Sequence, residues 1–288
     1  MALGNLASRF LVAIIAAPAL IYLMYRPESV LIAGVVTVAS ILAMREFFNM
    51  TLTDHRDRRV MLIMGAAAIS IFYWMNPDAL SVGEETGKWL LKTGPVIAMA
   101  IAVLGPAIYF LFRFRDIESS AANMAFATMG IVYAGLLFMT VAMAKRDFGP
   151  HGGDAVLLVL TIAWFGDTAA YFGGRFFGNK KLYEAVSPKK TWAGAYGGVF
   201  GSLLAVAIMK LIRWDALSWI DVAILGIVGN ALGQVGDLAE SLVKRARGIK
   251  DSGSLLPGHG GMLDRVDAVL FIAPFVYLYF MLRPVLVN

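Results

Sequence analysis

The chain has 288 residues, 59% of them hydrophobic and 16% charged, with a mean hydropathy of +0.71. Soluble domains carry roughly 25% charged residues, so the composition excludes an ordinary water-soluble fold and indicates an integral membrane protein. A net charge of +5 suits anionic headgroups, phosphates or plain positive-inside anchoring, while the absence of cysteine excludes disulfides and thiolate metal sites.

A hydrocarbon core is crossed by about 17 to 25 apolar residues. In chain order such stretches fall at 9–25, 29–44, 60–75, 95–112, 122–144, 155–177, 193–212, 217–243 and 266–282. The sequence therefore predicts an all-α polytopic membrane protein of about nine transmembrane helices. Because apolar runs recur to the C-terminus, the first is expected to be a retained span rather than a signal peptide. Residues 1–150 form nearly pure apolar spans and are expected to be an N-terminal transmembrane scaffold. Residues 151–288 collect the polar side chains placed for chemistry and are expected to form the C-terminal catalytic region, with the active site in a polar cavity.

If all nine cross, positive charge sorts the loops. Arg9, the loop carrying Arg45, Arg56, Arg58 and Arg59, the pair Arg113 and Arg115, the loop from Arg175 to Lys190 and the segment from Lys244 to Arg265 fall on one side. That side is expected to be cytoplasmic, within the cell (inner) membrane, with the N-terminus inside and the C-terminus outside.

Two of the later spans carry polar stripes. In GNALGQVGDLAESLVKR, Asn230, Gln234, Asp237, Ser241 and Lys244 are spaced 4, 3, 4 and 3 and share one helical face. A carboxylate such as Asp237 in an apolar span costs at least ~2.5 kcal/mol, so it must meet a basic partner, a cation or water. In TIAWFGDTAAYFGGRFFG, Thr161, Trp164, Asp167 or Thr168, Tyr171 and Arg175 share a face, and Gly166, Gly173 and Gly174 allow close helix approach. Asp167 reads first as neutralising Arg175 two turns away, with a site role as the alternative, and Tyr171 reads more readily as packing than as chemistry. SPKKTWAG then sets Ser187, Lys189 and Lys190 before a helix start, a place suited to anionic groups, although a solvated positive-inside loop explains the lysines singly.

Between the last two spans lies SLVKRARGIKDSGSLLPGHGGMLDRVD. Lys244, Arg245, Lys250 and Arg265 bring positive charge, and Asp251, Asp264 and Asp267 bring hard oxygen ligands. Pro257 and glycines at 258, 260 and 261 permit a tight backbone that exposes N–H groups to anionic oxygens. Magnesium is usually held by one or two carboxylates plus substrate phosphates, so this composition suits a magnesium-bound polyphosphate. Neutralisation within the loop would explain the charges but not the glycines. His259 is an acid, a phosphate donor or a turn residue; the sequence leaves all three open.

From Ser241 to Asp267, S-x-V-K-R, four residues, K-D-x-G and L-P-x-H-G-G-M-x-D-R-V-D resemble the signature of the phosphatidate cytidylyltransferases, the CDP-diacylglycerol synthases. GDTAAYFGGRFFG, SPKKTWAG and GQVGDLAES are also similar to that family, so the resemblance covers about residues 155–285. It implies an enzyme that joins CTP and phosphatidate, giving CDP-diacylglycerol and pyrophosphate with Mg²⁺. The family's metal ligands map onto Asp237 and Asp264, with Asp251 and Asp267 as supporting groups.

On this resemblance a phosphate oxygen of phosphatidate attacks the α-phosphorus of CTP. With a second pKa near ~6, that phosphate is largely dianionic at neutral pH and needs no general base. Lys244, Arg245, Lys250 and Arg265 are assigned to the nucleotide phosphates and the departing pyrophosphate, and Ser187, Lys189 and Lys190 to the lipid phosphate or nucleotide. Asp167, Tyr171 and His259 complete the candidate substrate-binding set. The partners are CTP, phosphatidate and bilayer lipid, with no nucleic acid; monomer and homodimer both fit. Two rivals are a CTP-dependent lipid (polyprenol-type) kinase, which would deprotonate an alcohol with His259 or an aspartate, and a cation-coupled transporter using Asp167 and Asp237. The interrupted helices of transporters occupy corresponding halves, whereas here they all lie in the second half.

Overall fold

A computed structural model describes residues 17–75, 83–253 and 260–287, with side chains to residue 283. After helical residues 17–25, the order is α1 (Ser29–Thr51), α2 (His55–Trp74), α3 (Glu84–Phe112), α4 (Ile117–Asp147), α5 (Gly152–Phe177), a hairpin of β1 (Lys181–Tyr183) and β2 (Ser187–Thr191), α6 (Trp192–Ile212), α7 (Trp219–Ala246), the single turn α8 (Leu263–Val266) and α9 (Val269–Val287). Each predicted apolar stretch lies mostly on a helix over its described residues, the last one continuously only from Val269 onward because the helix breaks at 267–268. Among the described residues six helices are long and apolar enough to cross a membrane: α1, α3, α4, the helical stretch containing α5, α6 and α7. Helix α9 is apolar but shorter in this respect, over Val269–Arg283, and α2 opens with the charged run His55–Arg59. The architecture is the expected largely helical one. Its one addition is the short antiparallel hairpin, paired Lys181 with Thr191 and Tyr183 with Ser187.

Backbone groups satisfied within helices are what a lipid environment demands, and outward apolar side chains such as Phe112, Phe177 and Leu211 remain exposed. The buried core of the first half lies where α1, α2 and α4 meet, around Met44, Phe47, Phe48 and Ile69. There α4 loosens into a π-helical turn, Ile131–Leu136, which aims Tyr133 inward between Phe47 and Phe271 at ring separations of 6.2 and 6.0 Å. Such turns recur at functional positions in helices.

In the second half α5 packs along α6, α6 against α7, and α7 against α9. Small residues set this closeness, as expected for membrane helices. A Cβ on Gly173 would lie 2.9 Å from the Ala193 carbonyl oxygen, and one on Gly197 2.8 Å from that of Ala169. Helix α6 starts cleanly because the Thr191 side chain accepts from the Gly194 N–H at 3.1 Å, an N-cap that also ends β2. The hairpin is thereby fixed to the cytoplasmic-side ends predicted for α5 and α6.

Candidate active site

The polar face predicted on α7 exists, its members bonded to neighbouring helices, to the hairpin and to one another. Asn230 donates to Ser202 Oγ at 2.9 Å, and Ser202 donates to the Ile162 carbonyl at 2.9 Å, tying α7 to α6 and α5. Gln234 donates to Asn230 and, at 3.2 Å, to the Ala195 carbonyl. One turn on, Asp237 accepts from Ser241 Oγ at 3.3 Å, and its other oxygen lies 2.6 Å from Lys190 Nζ. Of the basic partner, cation or water expected for a carboxylate in an apolar span, the basic partner is present and comes from β2.

Asp237 and Lys190 share a cavity of about 420 Å³ with Asp167, Tyr171, Arg175 and Lys189. Its floor is the glycine-rich contact of α5 with α6, including Gly174 and Gly194. Asp167 is open to the cavity and makes no ion pair with Arg175. Arg175 donates instead to the Tyr171 hydroxyl at 2.7 Å, so neutralisation within α5 does not account for Asp167. Ser187 stands at the start of β2 opposite Tyr183, outside the cavity lining.

A second charged cluster lies two turns further along α7, about 10 Å by helical rise. Lys244 Nζ reaches Glu240 Oε2 and Asp264 Oδ1, each at 2.6 Å. The other Asp264 oxygen accepts from the Ser252 N–H at 3.0 Å and the Gly261 N–H at 2.9 Å. Burial pushes the Asp264 carboxyl upward, but Lys244 and the two N–H donors outweigh it and hold the pKa at about 2. Asp267 accepts from the following Ala268 N–H at 2.7 Å, and its backbone packs against Gly236 of α7. Arg245 is exposed and donates to the Ile249 carbonyl at 3.0 Å. Lys250, Asp251 and Arg265 are exposed, and His259 lies outside the described residues. The sequence-selected residues thus divide into a cavity group (Asp167, Tyr171, Lys189, Lys190, Asp237) and a loop group (Lys244, Asp264, Asp267 with their neighbours), joined by α7.

Sequence reasoning missed two acidic residues. Glu240, 1% exposed, shares Lys244 with Asp264, and its Oε1 has no hydrogen-bond partner. Its i, i+4 spacing from Lys244 was the available signal. Glu46 comes from α1 in the supposed scaffold. It accepts from Ser252 Oγ at 3.0 Å, Met262 N–H at 2.9 Å and Leu263 N–H at 2.9 Å. Among the described residues, no three His, Asp or Glu side chains form a group arranged to hold a metal ion.

A helical bundle with six membrane-length helices among the described residues, and with Lys189, Lys190, Arg175, Asp167 and Asp237 lining one cavity, defines an integral membrane protein equipped for anionic ligands. A sequence profile described as the Cytidylyltransferase family matches residues 7–283. Among curated relatives, the phosphatidate cytidylyltransferase of Brucella suis biovar 1 (strain 1330) is 35% identical over 190 residues, 66% of this chain and 67% of that protein. That of Staphylococcus saprophyticus is 33% identical over 237 residues, covering 81% and 83%, and that of Staphylococcus aureus (strain COL) is 31% identical over 240 residues, covering 82% and 85%. The chain belongs to the cytidylyltransferase family, with the phosphatidate cytidylyltransferases, the CDP-diacylglycerol synthases. The profile reaches well into the first half, where the motifs alone gave no resemblance.

Proposed function

We propose that the protein transfers the cytidylyl group of CTP to phosphatidate, giving CDP-diacylglycerol and pyrophosphate, in the inner membrane with the hairpin and signature loop facing the cytoplasm. The observation that carries this reading beyond family membership is the Lys190–Asp237 pair, at 2.6 Å, in a cavity shared with Lys189, Arg175 and Asp167. Such a cavity offers cations to phosphate oxygens and carboxylates to a hard cation.

In the reaction a non-bridging oxygen of the phosphatidate dianion forms a bond to the α-phosphorus. The bond from that phosphorus to the α–β bridging oxygen breaks, and its electron pair leaves with pyrophosphate. Because the nucleophile is already ionised, the protein's contribution is positioning and charge neutralisation. Lys189, Lys190 and Arg175 bind phosphate oxygens from the hairpin and α5, while Gln234 and Asn230 keep α7 in register against α6. Lys244, Arg245, Lys250 and Arg265 meet the nucleotide phosphates from the loop side. Ser187, Tyr171, Asp251 and His259 are assigned to substrate, at the edges of these two groups.

Mg²⁺ fits this donor set, since it takes one or two carboxylates and completes its shell with substrate oxygens. Asp237 and Asp167 both face the cavity and would hold it there. Asp264 has both oxygens engaged, so for it to join Asp237 as a ligand, as the family signature implies, Lys244 must turn to the substrate phosphates; Asp267 supports from behind. When bound, the ion neutralises phosphate charge and orients the nucleotide. Diacylglycerol tests this account: it should fail as an acceptor where phosphatidate succeeds, because it lacks both the ready nucleophile and the anionic group that the lysines hold. Equal turnover of the two lipids would refute the proposal and favour a lipid kinase.

A further inference from the structure

The glycines of the signature loop have a partner in the protein itself. The Glu46 carboxylate, on a side chain of a residue only 8% exposed, receives the hydroxyl of Ser252 and the consecutive N–H groups of Met262 and Leu263, 206 to 217 residues away in sequence. A Cβ on Gly253 would lie 2.8 Å from Glu46 Oε1, and one on Gly261 would collide with Ser252 Oγ and Glu46 Oε2. Gly253 and Gly261 are therefore small so that backbone at 252–253 and 260–263 can close around one buried carboxylate. The same two stretches present the Ser252 and Gly261 N–H groups to Asp264, which holds Lys244 at 2.6 Å. Nearby, Arg247 donates to the Thr51 carbonyl at 3.2 Å, a second tie between α1 and the end of α7.

We propose that Glu46 is a positioning residue for the reaction: from the N-terminal half it clamps both flanks of the signature loop and so fixes Asp264 and Lys244 without touching substrate. The proposal deepens the cytidylyltransferase reading and rests on it for its kinetic consequence, but the clamp itself has a separate readout. Replacement by Gln keeps size and loses charge; the amide oxygen can accept from one side only, and the NH₂ then faces a donor. Supporting partners of this kind typically contribute about 10- to 100-fold to activity.

The test uses the full chain in detergent, comparing wild type, Glu46→Gln and the control Ser40→Ala, which removes another buried polar side chain of α1, packed on Met139, without touching the loop. Hydrogen exchange measured by mass spectrometry should show peptides covering 252–253 and 260–263 exchanging about tenfold faster in Glu46→Gln, at the scale of one lost charge-assisted hydrogen bond, with α1 and α4 unchanged. In the same variant kcat should fall about 10- to 100-fold with KM for CTP changed less than about threefold, while Ser40→Ala keeps both loop protection and kcat. Wild-type protection at 260–263 in Glu46→Gln would overturn the clamp whatever reaction the protein performs. A faster exchange with unchanged kcat, or protection lost equally throughout α1 and α4, would overturn the positioning role.

Discussion

Asp237 is the residue on which the two charged groups turn. It holds Lys190 of β2 through one oxygen and Ser241 through the other. The Asp237→Asn variant keeps the size of the side chain and removes the charge, so helix packing should survive while activity falls by about 100-fold or more, the scale of losing a group that meets developing charge directly. Initial rates at saturating substrate, paired with thermal unfolding in detergent, check this. Asp264 makes a different prediction. Its folded pKa, about 2, lies below the ordinary aspartate value of about 3.9. Its ionised form therefore stabilises the fold fully above that unfolded value, and this stabilisation is lost as pH falls through about 2. The stability gap between wild type and Asp264→Asn should accordingly stay flat from pH ~5 to ~8 and shrink below pH ~4, as unfolding scans across that range will show.

At the scale of elements, the cavity depends on how closely α5 and α6 approach. A Cβ at Gly197 meets the Ala169 carbonyl, which belongs to helical backbone and cannot swing aside. Gly197→Ala should therefore separate the helices and destabilise the protein by about 1–3 kcal/mol, the usual cost of overpacking, measurable as a lower unfolding temperature. The helical elements were legible because a membrane imposes a length and an apolar composition, and the polar face of α7 was legible because 3.6-residue periodicity survives in one helix. Asn230, Gln234, Asp237 and Lys244 all meet partners as that face required. The β hairpin was not legible: its strands are three and five residues long and carry lysines that read as a loop. Nor was Glu46, since an acidic residue near a helix end resembles an interface anchor and its three partners lie over two hundred residues on. The loop's glycines were noticed, but sequence could not say that Gly261 approaches the Glu46 carboxylate, nor that Gly260 lies against Asp264.

Across the whole molecule, the expected scaffold, residues 1–150, is tied to the signature loop at its flanks. The family profile runs from residue 7 to residue 283, and α1 reaches the signature loop through Glu46, Thr51 and Arg247. Tyr133, on the π-helical turn of α4, packs at 6.0 Å against Phe271 of α9, so the first half also walls the region behind α7. In the proposed function, the cavity lined by Asp167, Arg175, Lys189, Lys190 and Asp237 takes the headgroup and nucleotide while acyl chains stay in the bilayer. In the proposed reaction the bond formed is to the α-phosphorus of CTP. The most direct measurement gives purified protein phosphatidate, Mg²⁺ and CTP labelled in parallel reactions at the α- or γ-phosphorus. Transfer from the α-phosphorus puts α-label on the lipid and γ-label in pyrophosphate, in equal amounts, with both stopped by chelation. Appearance of γ-label on the lipid with CDP as co-product would contradict it.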